Sequence, residues 1–99
     1  MTITEIRILL VDDPCLKAFV SVTFDQVFVA KGLKIIRGKS ERLFLAMPSR
    51  RRPNGEFQDI VHPLHQAFRN ELEEAVLLEY SRCLRAAAKS SRELERKDS

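Results

Sequence analysis

The chain has 99 residues, 44% of them hydrophobic, enough for one small domain with a modest core and too few for two. Seventeen Lys+Arg against fourteen Asp+Glu give a formal charge of +3, which favours anionic partners so weakly that the placement of charge matters more than its total. No apolar stretch could span a bilayer, the first residues lack the basic-then-apolar order of a signal peptide, and Cys15 and Cys83 fit neither a disulfide framework nor a zinc site, so a cytoplasmic chain with reduced thiols and no metal, cofactor or membrane partner is expected.

Ile3 to Val11 is rich in β-branched and aliphatic residues, with Ile6, Ile8 and Leu10 on one face of an extended strand that Asp12-Asp13-Pro14 ends. Leu16, Ala18, Val20, Val22 and Phe24 then alternate with Lys17, Phe19, Ser21 and Thr23, the clearest period-two pattern in the chain. Asp25-Gln26 turns it into a third run, Val27 to Arg37, which Gly32 interrupts in the manner of a bulge or bend. Leu43 to Met47 reads as a short buried strand, and Glu56 to Val61, after the Asn54-Gly55 turn, as its partner.

From about Pro63 the period becomes helical, with Leu64, Phe68, Leu72, Ala75, Val76 and Cys83 on one side and Pro63 in the first turn. Glu79 falls inside that apolar arc, so either the buried face ends there or its carboxylate has a partner such as an arginine. The expected fold is therefore α+β: an antiparallel sheet of four to five strands followed by a C-terminal α-helix. Residues 1–88 form the domain and 89–99 a basic tail, frayed or disordered, with Leu94 its one strong hydrophobe.

Three consecutive arginines, Arg50, Arg51 and Arg52, stand between strand-like runs and just before the Pro53-Asn54-Gly55 turn. Guanidinium groups bind phosphate oxygens or guanine edges with paired hydrogen bonds, and a two-stranded ribbon can enter a major groove. The competing reading is a solvated hairpin tip whose arginines pair with Glu56 and Asp59. A second basic stripe, Arg82, Arg85, Lys89, Arg92 and Arg96, has Glu93 and Glu95 interleaved and reads as a solvated helix end. Neither cluster has interleaved aromatics, which argues against a stacking platform for single strands.

Catalytic readings are weaker. His62 and His65 have no carboxylate or cysteine at a metal-site spacing, and Ser49 lies outside any nucleophile-elbow pattern with no base tied to it. No enzyme activity and no small-molecule substrate are expected.

The block Leu43-Phe44-Leu45-Ala46-Met47-Pro48-Ser49-Arg50-Arg51, continued by Pro53-Asn54-Gly55-Glu56-Phe57, Asp59-Ile60 and His62-Pro63, resembles the SpoVG family. The resemblance runs from about Ile3 to Tyr80 and includes Thr23-Phe24-Asp25 and the Glu74 to Tyr80 helix. It implies a small α+β domain that forms a homodimer, and a bacterial regulator of gene expression whose members bind DNA, some of them RNA, with roles in septation and sporulation. The family's basic pair after Met-Pro-Ser is matched by Arg50 and Arg51. Two positions depart: Arg52 stands where threonine is common, and Gln58 where arginine is common. The rival to nucleic-acid binding is a protein-interaction module that uses a sheet edge or the helix, its arginines serving solubility alone.

Overall fold

The alternating run expected to be the best strand forms the centre of a sheet. In the computed structural model, which describes the backbone of residues 1–97 and the side chains of residues 1–88, β1 (Ile3–Leu10), β2 (Leu16–Phe24), β3 (Phe28–Arg37) and β4 (Leu43–Ala46) pair antiparallel in the order β1-β2-β3-β4. Ala18, Val20, Val22 and Phe24 of β2 face inward beside Ala30, Leu33 and Ile35 of β3 and Leu45 of β4. Ile6 and Ile8 extend this face onto β1, opposite Val22 and Val20.

A single helix, α1 (Gln66–Lys97), covers that face with Leu72, Val76 and Tyr80, while Phe68 packs at its start with ring centroids 6.0 Å from Phe24. Among the described residues no polar or charged side chain is buried, so the core is stabilised by apolar contact without internal charge compensation. Among the described residues one polar side-chain tie joins helix to sheet: the Leu45 N–H donates to the Glu73 carboxylate at 3.1 Å. β4 is an edge strand, and this bond satisfies a backbone donor for which the ladder has no neighbour.

Gly32 produces the expected bulge. Between the pairs Val22↔Ala30 and Val20↔Leu33, β3 carries Lys31 and Gly32 against the single residue Ser21, and Gly32 adopts φ +84°, a conformation that costs a side-chain-bearing residue.

Two expectations are corrected. Leu43–Ala46 pairs with Lys34–Arg37 of β3, not with the segment after Asn54-Gly55. Met47 and Pro48 separate it from a second, two-stranded sheet in which β5 (Ser49–Arg51) pairs with β6 (Phe57–Asp59), which puts Arg50 and Arg51 on a hairpin strand and Arg52 at the start of its turn. Pro48 has no N–H to continue a ladder, and its carbonyl instead accepts the Ile60 N–H at 2.7 Å. The helix also begins later than its apolar period suggested. Pro63 precedes it, Leu64 is 85% exposed, and the His65 carbonyl accepts the Arg69 N–H. The tail assigned to residues 89–99 lies outside the residues whose side chains are described.

Candidate nucleic-acid interface

The ribbon β5–β6 is built by its turn. Arg52 and Glu56 close a three-residue loop through an Arg52 N–H to Glu56 carbonyl bond of 2.7 Å. Inside it, Gly55 N–H donates to the Arg52 carbonyl at 2.9 Å, and Gly55 takes φ +89°. Pro53 suits the first central position of such a turn, and a glycine in the left-handed region supplies the bulge that lets the strands continue. The Asn54 side-chain oxygen accepts the Glu56 N–H at 3.1 Å, which fixes the loop from within.

That turn sets the register Ser49↔Asp59, Arg50↔Gln58 and Arg51↔Phe57. Alternation then places Arg50 and Gln58 on one face of the ribbon and Arg51 and Phe57 on the other. Every residue of both strands is exposed. The expected pairing of these arginines with Glu56 and Asp59 is not what forms: among the described residues the ion pairs are Arg7 with Glu5 and Arg82 with Glu79. The three guanidinium groups thus present positive charge on an open ribbon, able to meet phosphate oxygens without first giving up an internal carboxylate.

Arg52 does have one side-chain contact. Its Nε donates to Gln58 Oε1 at 2.9 Å. Positions 52 and 58 are the two at which the sequence departs from the SpoVG pattern, and register makes them neighbours. The ribbon thus carries a cation at 52 with a neutral acceptor, Gln58, on the neighbouring strand. Sequence alone marked both departures but could not bring them together, because their contact depends on the loop length of the turn.

Beside the ribbon, Met47, Pro48 and the segment from Val61 to His65 line an apolar groove of about 470 Å³ against Phe28 and Phe68. His62 and His65 both border it and are exposed; the His62 ring Nδ1 lies 3.1 Å from the Pro63 carbonyl, a local contact of the chain entering the helix. Among the described residues no three His, Cys, Asp or Glu side chains gather as metal ligands. Cys83 is half-buried on the helix and Cys15 exposed.

The second basic stripe begins with an arginine already engaged. Arg82 Nη2 meets Glu79 Oε1 at 2.6 Å and its Nε contacts both carboxylate oxygens, which answers the demand of Glu79 for a partner. The Arg82 bond is the main cause that holds the Glu79 carboxyl below its ordinary range. Lys89, Arg92 and Arg96 lie outside the described side chains.

Residues 1–82 match the family described as SpoVG. Among individual relatives, a protein of Anaeromyxobacter sp. (strain Fw109-5) named "Putative septation protein SpoVG" is 47% identical over 88 residues, covering 89% of this chain and 90% of its own. Proteins with the same name in Myxococcus xanthus (strain DK1622) and Caldanaerobacter subterraneus subsp. tengcongensis are 44% identical over 87 residues and 49% over 83, covering 88% and 83% of this chain and 87% and 90% of their own. The family match ends at residue 82, just after Tyr80, the last buried helical residue among those whose side chains are described.

Proposed function

The chain belongs to the SpoVG family, and from that premise we propose that it is a homodimeric nucleic-acid-binding regulator of gene expression, related to regulators of septation and sporulation, whose β5–β6 ribbon supplies the phosphate contacts. The observation that carries this reading is the ribbon itself: three consecutive exposed arginines on a two-stranded element, none of them in an ion pair with the described acidic side chains. Arg50 and Arg51 contribute from opposite faces, so a duplex groove or two neighbouring phosphate rows suit them better than a flat surface. The chemistry is binding without a catalytic step, at work in the cytoplasm.

The apolar groove supports the dimeric part. Phe28, Val61 and Leu64, all exposed, line it, which is a large concentration of apolar surface for a single small chain. A second copy that covers it would set two ribbons on one particle, and six arginines would then address the duplex.

Six phosphate contacts give a slope of roughly −5 in the logarithm of affinity against the logarithm of salt. Random-sequence duplex DNA titrated across a salt series, with the wild type beside the Arg50→Ala/Arg51→Ala variant, tests this. The variant is expected to bind more weakly and to flatten the slope to about −2. Equal affinity and slope for both proteins would remove the ribbon from the mechanism. No binding of either to DNA or RNA, beside salt-insensitive capture of a protein partner, would replace the reading with a protein-interaction module.

A further inference from the structure

The helix covers only one face of the four-stranded sheet. On the other, strand pairing assembles residues that lie far apart in sequence: Leu9, Phe19 and Lys34 stand in one row across β1, β2 and β3, and Arg7 and Ser21 in the next, where the bulge adds Lys31. Phe19 is 40% exposed although it sits on a central strand, where an aromatic ring would ordinarily be covered. Arg7, Leu9, Phe19, Ser21 and Lys31 line a shallow groove of about 330 Å³ with Gly32 on its wall.

Charge decides what suits this face. Lys34 stands opposite Phe19, with Arg7 and Lys31 in the neighbouring row, and Glu5, one row further along β1, accepts from Arg7 Nε at 2.8 Å. That bond uses one of five guanidinium donors and leaves the others free for an anion. An apolar protein surface would bury these cations at a cost, whereas a polyanion with flat apolar rings would meet both features at once. Successive bases of a single strand stack on aromatic side chains of four-stranded sheets while flanking cations hold the backbone. A duplex keeps its bases stacked on each other and offers Phe19 nothing. Between Arg7 and Lys31, the Ser21 hydroxyl can donate or accept a hydrogen bond, which suits a ribose 2′-hydroxyl.

We propose that the uncovered face of the sheet binds single-stranded RNA, with Phe19 stacking on a base, Arg7, Lys31 and Lys34 meeting the adjoining phosphates and Ser21 a 2′-hydroxyl. This rests on the nucleic-acid reading of the protein but uses a surface separate from the arginine ribbon. The ribbon addresses the duplex, and the sheet face takes strands whose bases are open.

Fluorescence anisotropy with labelled oligouridine, oligodeoxythymidine and random duplex DNA tests it. Phe19→Leu keeps an apolar side chain at a half-covered position, and thermal unfolding followed by circular dichroism establishes that it folds. Its affinity for oligouridine is expected to fall about ten-fold, with Phe19→Tyr close to wild type and duplex binding unchanged in both. Lys31→Ala/Lys34→Ala is expected to flatten the salt dependence of oligouridine binding alone. Wild-type oligouridine affinity in Phe19→Leu, with duplex binding still lost in Arg50→Ala/Arg51→Ala, would overturn the sheet-face site and leave the ribbon standing. Equal affinity for oligodeoxythymidine would overturn the assignment to RNA. A change of subunit association in Phe19→Leu, seen by sedimentation with oligouridine affinity intact, would make the face a protein contact. Absence of all nucleic-acid binding by the wild type would bring down the ribbon reading and this one together.

Discussion

The sheet β1–β4 and the ribbon β5–β6 use the same antiparallel pairing under different constraints. In the sheet, Ala18, Val22 and Ile35 are fully buried beneath Val76 of the helix, so each inward side chain is fixed by the volume it fills. In the ribbon all six strand residues are exposed, and register comes from Pro53-Asn54-Gly55 and the bonds across it. The sheet would fold with many outward residues changed. The ribbon has no core beneath it, so folding does not explain why its strand is arginine-rich, whereas the proposed phosphate contacts would.

The sharpest break of this comparison is in stability. Leu33→Ala removes a buried side chain between sheet and helix and is expected to lower the unfolding free energy by about 2–5 kcal/mol in urea titrations. Arg51→Ala is expected to stay within about 0.5 kcal/mol of wild type while it weakens duplex binding. An arginine variant as unstable as the core variant would show that the ribbon is part of the folding unit. Smaller and confined to the ribbon is Gly55→Ala. At φ +89° a side chain costs about 1–2 kcal/mol, and amide exchange at Arg52 and Gly55 should quicken while the amides of β2 keep their protection.

What the sequence made legible follows the same division. Alternation from Leu16 to Phe24 specified the central strand and its buried face, because period two and burial are one signal there. The partner of Leu43–Ala46 was not legible, since periodicity names a strand and says nothing of its neighbour; the Pro48 break was visible, but the turn downstream made the wrong pairing attractive. Leu64 carried the helical period without the helix, and its place at the groove depends on the entry path from Pro63. The arginines were legible as charge. Their strand, the Arg52–Gln58 contact and the cations beside Phe19 all needed register, which brings Arg7 of β1 and Lys31 and Lys34 of β3 to either side of Phe19 on β2.

The Arg52–Gln58 contact gives a finer test of whether the ribbon is specified by charge or by position. Arg52→Thr alone removes one cation per protomer, and the salt slope is expected to shrink by about 2 for a dimer. Arg52→Thr/Gln58→Arg restores the count on the neighbouring strand, and if total charge governs phosphate binding the slope returns to wild type. Recovery of slope without recovery of affinity would show that placement also counts.

The smallest effect lies on the sheet side, where one loop uses the same turn chemistry as the ribbon. Asp13 Oδ2 accepts the N–H groups of Cys15 and Leu16, each at 2.8 Å, and closes the turn that carries β1 into β2. The Leu16 bond, then that of Cys15, holds the Asp13 carboxyl below its ordinary value of 3.8. A carboxyl lowered by folding stabilises the folded state above the unfolded value, and that contribution is lost as pH falls through the folded one. Asp13→Asn is therefore expected to be slightly less stable than wild type at pH 6, by the same margin at pH 8, with the two curves converging below pH 3.8. Urea midpoints measured across that range check it. Duplex binding should be untouched throughout, because this loop joins strands of the sheet and the ribbon is closed by a turn of its own.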